Sequence, residues 1–381
     1  MTRTRITQVN LSPTLGGAEV YTSFFSRALA AHGWPTRVIV DGNARFWGEL
    51  DFSSVEICRV NGAAGIPAVI EENSLVIIHA PVPPAVLHQM AAHSSLVGLA
   101  HQAVYNSSRP AYYDLADILL PVSHHVLTTL SREGIERVYP VPLYSVIDLG
   151  RPVTDAAVRQ GPLCEWDNRK FRDRFLALAD RTRASLSGAH HYERRPGLTL
   201  GIVSRIAPLK QFPTLFEHLA PIIAQRQRVN LEVFGAAVGY KSLREMRSAL
   251  SPMLSRTRFW GHQRNVAAAY HGIDYLLTGL PEREALGLNV IESAALGTPV
   301  LAIDAPPFTE TMQEGKTGFL YTDPRKDGGA HFARLLDGLL DGSLRADLPG
   351  AATHLERFSR AAFGKRVDAA MHVVVAALRM S

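Results

Sequence analysis

Two glutamates eight positions apart, Glu284 and Glu292, bracket the segment Ala285-Leu286-Gly287-Leu288-Asn289-Val290-Ile291. On one continuous helix they would stand roughly 12 Å apart along the axis, too far to share a proton as a carboxylate dyad does. The spacing suits a grip on two ends of an elongated ligand, with the free amides around Gly287–Asn289 turned toward an anion between them. A nucleotide sugar has that layout of sugar, diphosphate and ribose, and a carboxylate is a natural acceptor for a ribose diol. Read alone, the pair is better taken as a solvated loop residue, Glu284, and a surface helix residue, Glu292.

Three further clusters could carry chemistry. Arg205 and Lys210 lie in a loop directly after the apolar run Leu198–Val203. An arginine can fork two phosphate oxygens while a lysine adds a mobile point charge; two solvated loop charges are the plainer alternative. Leu15-Gly16-Gly17-Ala18-Glu19 falls between a strand-like run and a helical segment. There two glycines let backbone approach a ligand at a helix start, suiting a phosphate or a sugar hydroxyl, and an ordinary tight turn is the other reading. His101 follows the run Leu96–Ala100, where an imidazole could hydrogen-bond a reacting sugar or act as acid or base; His79, His124 and His125 are rivals among fifteen histidines. No HExxH or HxH spacing marks a protein-built metal site.

The elements that must position these residues repeat a βα rhythm. Runs rich in Val, Ile and Leu occur at Ile6–Leu11, Arg37–Val40, Val55–Cys58, Leu75–Ile78, Leu96–Ala100, Ile118–Val122 and Val138–Val141. They lack polar alternation, as buried parallel strands do. A second series runs through Leu198–Val203, Leu231–Phe234, Thr257–Trp260, Tyr275–Thr278, Val300–Ile303 and Phe319–Tyr321. Helix-period segments fall between, including Ala18–His32, Ser123–Glu133, Thr214–Arg226, Lys241–Leu250 and Asn289–Leu296. The pattern predicts α/β architecture with two doubly wound parallel sheets, one per half.

The expected domains are 1–150 together with a C-terminal helix at about 362–381, a connection over 151–196, and 197–361. The connection includes a basic helical stretch, Lys170–Leu186, whose Phe171, Phe175, Leu178 and Leu186 recur at helical spacing. Packing onto a neighbouring domain is the expectation there, with membrane contact as the alternative. The tail Ala351–Met380 reads as helical.

Composition removes other classes. With 381 residues, 46% hydrophobic and 20% charged, the chain is long enough for two cores and is neither disordered, collagen-like nor a coiled coil. Two cysteines, Cys58 and Cys164, exclude a disulfide framework and a zinc ribbon. A net charge of +5 is too small and too scattered for a nucleic-acid footprint. No apolar run reaches the roughly 18 residues of a bilayer span, and the N-terminus lacks a signal-peptide apolar region. A cytoplasmic protein is expected, with peripheral attachment at the inner membrane face as an option.

Five stretches, in order, resemble one family. EALGLNVIESAALGTPVLA (Glu284–Ala302) is similar to the E-x7-E signature of retaining glycosyltransferases of family 4, which have the GT-B fold. LGGAEVYTSFFSRALAAHGW (Leu15–Trp34) resembles their Gly-Gly loop and first helix. SRIAPLKQF (Ser204–Phe212) resembles their phosphate loop, FWGHQRNVAAAYHGIDYLL the stretch that ends in the nucleotide pocket, and ERFSRAAFGKRV the start of the last helix. The resemblance implies two Rossmann-like domains facing across a cleft, the first on the acceptor side and the second binding the donor.

It also implies roles. Arg205 and Lys210 would neutralise the donor diphosphate, Glu292 would bind the ribose, and Glu284 would hold the transferred sugar beside Gly287 and Leu288. Gly16 and Gly17 would approach the diphosphate and sugar, and His101 would lie near the sugar. The implied reaction is retaining transfer of a hexose from a nucleotide sugar, UDP-linked, to a glycan, lipid-linked or small-molecule acceptor. The family is thought to use front-face attack, so no enzyme nucleophile is expected. No cofactor and no metal are expected either, in keeping with the missing DxD tripeptide. Around the sugar pocket the chain departs from the family, with Ala285-Leu286-Gly287 where Gly-Phe-Gly is usual. Two alternatives share the fold: a nucleotide-sugar 2-epimerase and a catalytically degenerate partner protein. A dehydrogenase is disfavoured because GxGxxG is absent.

Overall fold

The computed structural model describes residues 4–147, 158–166, 171–186, 191–263 and 265–379. Two compact units divide the chain: Met1–Asp148 with Glu356–Ser381, and Leu149–Leu355.

The first unit is built on β1 (Ile6–Asn10), β2 (Thr36–Asp41), β3 (Glu56–Val60), β4 (Ser74–Ile78), β5 (Ser94–Ala100) and β6 (Ile118–Pro121), in the spatial order β3-β2-β1-β4-β5-β6. Every pairing is parallel. β1 and β4 are buried at all positions, which is why their sequences show no polar alternation. The helix Gly17–Ala31 crosses from β1 toward β2 and buries Tyr21, Phe24, Phe25 and Leu29. The C-terminal helix Arg360–Arg379 belongs to this unit; its Phe363 meets Tyr21 edge to face at 5.5 Å and its Asp368 accepts from the Trp34 indole at 2.8 Å.

The second unit adds a two-residue strand β7 (Cys164–Glu165), then β8 (Leu198–Val203), β9 (Val229–Phe234), β10 (Ala237–Val238), β11 (Thr257–Gly261), β12 (Tyr275–Leu277), β13 (Val300–Ile303) and β14 (Gly318–Tyr321). Its main sheet runs β11-β9-β8-β12-β13-β14, again all parallel, while β7 pairs with β10 separately. Phe212, Leu215, Phe216, Leu219 and Ile223 of the helix Phe212–Ala224 are buried in the core over this sheet.

Both main sheets therefore have the doubly wound order in which chain direction across the sheet reverses once. The reversal lies between β1 and β4 in the first unit and between β8 and β12 in the second. Outside the carboxyl ends of those strand pairs the connecting loops diverge and leave a crevice for ligands.

Three expectations are corrected. Val138–Val141 is not a strand: Val138 makes one isolated bridge to Leu119, and Val141 is exposed. Pro140 and Pro142 flank it, and proline supplies no amide donor for a ladder. The C-terminal tail is not one helix. It breaks between Ala352–Glu356 and Arg360–Arg379, where Phe358 is fully buried and its carbonyl accepts from Ile147. Ser359 then restarts the helix by accepting from the Ala362 amide at 3.2 Å; Met380 lies outside the described residues. In the basic segment a helix spans Phe171–Leu186, but Phe171, Phe175 and Leu178 stand 75%, 60% and 63% exposed instead of packed away. Lys170 and much of 151–196 lie outside the described residues.

Candidate functional site

In the second unit the predicted residues gather at the β8–β12 crevice. Arg205 follows β8, and Lys210 ends the short turn Pro208–Lys210 just before the helix Phe212–Ala224. The segment after β12 comes alongside: the Leu280 amide donates to the Lys210 carbonyl at 3.3 Å. The approach is so close that a Cβ on Gly279 would sit 2.3 Å from that carbonyl oxygen. Glycine at 279 is thus a packing requirement.

Glu284 lies in the same loop and forms an ion pair with the Lys210 ammonium. Its other oxygen accepts from the Gly287 amide at 3.2 Å. Burial pushes this carboxyl upward, but the Lys210 charge and hydrogen bond, with backbone donors at Gly287 and Ala285, outweigh it and hold the group below its ordinary range. Gly287 itself is left-handed, at φ +75°, and opens the helix Leu288–Ala295. The Asn289 side-chain amide reaches the Val203 carbonyl at 3.4 Å, tying the helix start to the end of β8. Lys210, Glu284, Gly287 and Leu288 therefore form one connected site.

Glu292 lies about one turn along that helix. It accepts from the Tyr270 hydroxyl at 2.9 Å, and Tyr270 is fully buried. Burial raises the Glu292 carboxyl to about 7, against the lowering effect of the Tyr270 hydrogen bond. Arg205 is not joined to this network. Its guanidinium pairs with Glu165 of β7 at 2.7 Å, and its Nε is buried with no partner among the described residues. Both cations of the loop are thus matched to carboxylates. Among the described residues no group of three or more His, Cys, Asp or Glu could hold a metal ion.

In the first unit, Gly16 caps the helix Gly17–Ala31 in an extended conformation. Around Gly17 a Cβ would meet nothing within 4 Å, so the helix start is open, and neither glycine needs positive φ. Asn10, ending β1, donates to Thr22 at 2.9 Å and accepts from the Ser12 amide at 3.1 Å, fixing the loop before the glycines. His101, just past β5, lies 3.3 Å from the ring of His79, just past β4, and Tyr21 packs edge-on against it at 4.8 Å. Burial lowers His101 to about 3, and burial followed by the neighbouring His101 lowers His79 well below the usual range. Both imidazoles are neutral.

Known proteins resemble this chain in part of its sequence and in its fold. Residues 197–341 match the family of group 1 glycosyl transferases. A D-inositol 3-phosphate glycosyltransferase of Jonesia denitrificans is 31% identical over 174 residues, which cover 43% of this chain and 40% of the relative. The enzyme of the same name from Acidothermus cellulolyticus is 40% identical over 78 residues, 20% of this chain and 16% of that one. The matched stretches thus span less than half the length of these relatives. Solved structures extend the likeness to the whole chain at the level of fold. HepE of Anabaena, in complex with UDP and glucose, has a TM-score of 0.71 and 17% identity, covering 97% of this chain and all of that one. Sucrose-phosphate synthase of Thermosynechococcus elongatus has a TM-score of 0.71 and 17% identity over 98% of this chain and all of that one. The fold is GT-B.

Set against the sequence, Lys210, Glu284, Gly287 and Leu288 come together, and Glu292 lies on the helix that Leu288 begins. Arg205 is held apart on Glu165. That partner escaped sequence reading because it lies 40 positions away in a segment without periodic pattern. Tyr270 sits inside the quoted stretch FWGHQRNVAAAYHGIDYLL, yet only its contact with Glu292 singles it out.

Proposed function

We propose that the protein is a retaining, metal-independent glycosyltransferase that moves a hexose from a UDP-linked donor to a glycan, lipid-linked or small-molecule acceptor. The observation that carries this reading is the cationic loop at the β8–β12 crevice, closed by Glu284 and the Gly287 helix start. The group 1 match over the same residues supports it, as does the UDP bound in the Anabaena protein of like fold. Arg205 and Lys210 neutralise the diphosphate as it departs, joined by the amides of Gly287 and Leu288; fixed charge and oriented dipoles act most strongly in a desolvated site. Glu292 accepts from the ribose hydroxyls, and Glu284 from the transferred sugar. Gly16 and Gly17 offer open backbone to the donor, and His101 a neutral ring to the sugar. The leaving phosphate takes the acceptor proton, so no enzyme nucleophile is required.

The test is a thermal-shift series with UDP, GDP, ADP and dTDP sugars, followed by acceptor-panel assays. A true donor raises stability with concentration, and Glu284→Gln retains UDP binding while losing transfer. If no sugar nucleotide raised the melting temperature, the reading would fail; donor epimerised without acceptor would replace transfer by epimerisation.

No helix among the described residues is long and apolar enough to cross a membrane. We assign a peripheral contact with anionic lipid on the cytoplasmic face to the helix Phe171–Leu186. Exposed Phe171, Phe175 and Leu178 recur on one side of a stretch holding four arginines and two aspartates. Co-sedimentation with phosphatidylglycerol vesicles checks this: Phe171→Ser/Phe175→Ser should release the protein, and equal binding by the variant would overturn it.

A further inference from the structure

A chain of buried and partly buried polar side chains crosses the first unit's sheet and ends on His101. It visits four neighbouring strands in their spatial order. The Gln8 amide nitrogen donates to Thr36 Oγ1 at 2.9 Å, Gln8 Oε1 lies 3.0 Å from His79 Nε2, and His79 Nδ1 lies 3.3 Å from His101 Nε2. Thr36 starts β2, Gln8 lies in β1, His79 follows β4, and His101 follows β5. Gln8 is fully buried and His79 nearly so. Tyr21 and Phe25 of the helix Gly17–Ala31 pack edge-on against the two rings, at 4.8 Å and 5.6 Å. Ser26 Oγ of that helix lies 3.2 Å from Gln8 Oε1 and donates to the Thr22 carbonyl at 2.7 Å.

Such a row is an expensive way to fill a core. Apolar side chains of the same volume would pack beside Phe25 without a desolvation penalty, and local breaches of this kind concentrate at functional sites. What the row provides is direction. With Gln8 Oε1 turned toward the ring, His79 carries its proton on Nε2, toward Gln8, because a carbonyl oxygen only accepts. A neutral His79 then has a bare Nδ1, which can only accept. His101 must carry its own proton on Nε2, which leaves His101 Nδ1 as a lone pair. Both rings are held neutral by burial, so no second proton scrambles the order.

We propose that Thr36, Gln8 and His79 fix the tautomer of His101, presenting Nδ1 as a hydrogen-bond acceptor for a substrate hydroxyl. Gln8 and His79 are positioning residues, while His101 is the group that would touch substrate. The tautomer stands on the hydrogen-bond chain alone; its use on a sugar hydroxyl rests on the glycosyltransferase reading.

The experiment is long-range ¹H–¹⁵N correlation on the full chain labelled with ¹⁵N-histidine, with signals assigned by the loss of peaks in His79→Asn and His101→Asn. In the wild type both rings should show a protonated Nε2 and a bare Nδ1, by at least roughly the five- to tenfold preference one net hydrogen bond sustains. Gln8→Met removes the fixed acceptor, so both tautomers should then appear at His101. A wild-type His101 protonated on Nδ1 overturns the proposal, as does a Gln8→Met spectrum identical to wild type. A second reading comes from kinetics with the donor that the thermal-shift series identifies. Gln8→Met should lower kcat/KM severalfold in parallel with the tautomer change. A clean tautomer result with no transferase activity would leave the relay standing and remove the glycosyltransferase reading instead.

Discussion

If Glu292 holds the donor ribose as proposed, donor binding should be proton-coupled. Its carboxyl, raised to about 7 by burial, is part protonated near neutrality, while Tyr270, its hydrogen-bond partner, titrates far above that range. A ribose diol donates two hydrogen bonds and so prefers the ionised form. With a pKa of about 7, the ionised fraction is about ten-elevenths at pH 8 and one-eleventh at pH 6, so affinity for a nucleotide sugar should fall about tenfold on acidification, ~1.4 kcal/mol. UDP-glucose is the right probe, because its diphosphate diester carries no group titrating in this window. Isothermal titration at pH 6, 7 and 8, in two buffers of different ionisation enthalpy, reads both the affinity and the proton released. Glu292→Gln should bind more weakly at pH 8 and show no pH slope.

The ligand-free protein should show the opposite sign in stability. The folded carboxyl, raised above its unfolded value of about 4.3, retains a proton that the unfolded chain has lost. Stability is therefore greatest below about pH 4.3 on this account and declines as pH rises through 7, by roughly 3–4 kcal/mol in all. Wild-type affinity flat between pH 6 and 8, or a tenfold slope surviving in Glu292→Gln, would refute the assignment of Glu292 to the ribose.

Other perturbations address the rest of the site. Lys210→Met strands the buried Glu284 carboxylate and should cost ~3 kcal/mol in urea unfolding, most of it recovered in Lys210→Met/Glu284→Gln; strict additivity of the two changes would show the pair to be uncoupled. Gly279→Ala forces its new methyl against the Lys210 carbonyl, 2.3 Å away, and should lower the melting temperature and weaken UDP binding together; a fully stable variant with unchanged UDP affinity would show that the two loops are not tied there. Glu165→Gln removes the carboxylate facing Arg205, a half-exposed ion pair of modest strength, and should tighten UDP binding by up to about fivefold at low salt. An unchanged dissociation constant would mean that Arg205 does not meet the diphosphate.

The strands were legible where burial on both faces dictates composition: the runs Leu198–Val203 and Val300–Ile303 coincide with β8 and β13. Val138–Val141 has the same apolar look but contains Pro140 and is followed by Pro142, so composition alone misreads it. The tail misleads for another reason. Helical periodicity continues through Phe358, and only its burial against the first unit's core explains the break. In the site, Lys210, Glu284, Gly287 and Glu292 could be named because loop, helix start and helix face follow one another within each short segment. Arg205 was equally visible, but its pairing with Glu165 depends on two-residue strands 73 positions apart at Cys164 and Ala237, which no local pattern encodes. The His101 tautomer is further removed, since its determinants lie on three other strands.

The neutralised state of the cationic loop bears on selectivity. Arg205 and Lys210 do not wait as bare charges; each already holds a carboxylate. A ligand must therefore offer more than one negative oxygen pair, or the exchange returns nothing for the two carboxylates it displaces. A diphosphate meets that condition, since one anion can replace both Glu165 and Glu284 while the orphaned Arg205 Nε gains an acceptor. Glu284, once released from Lys210, keeps its backbone donors at Gly287 and gains a free lone pair for a sugar hydroxyl. On the proposed reading, the same exchange that fixes the leaving group frees the carboxylate that positions the group to be transferred. Diphosphate binding and sugar positioning would then be one coupled step, and a free sugar, lacking the anion, would have no means to set it in motion.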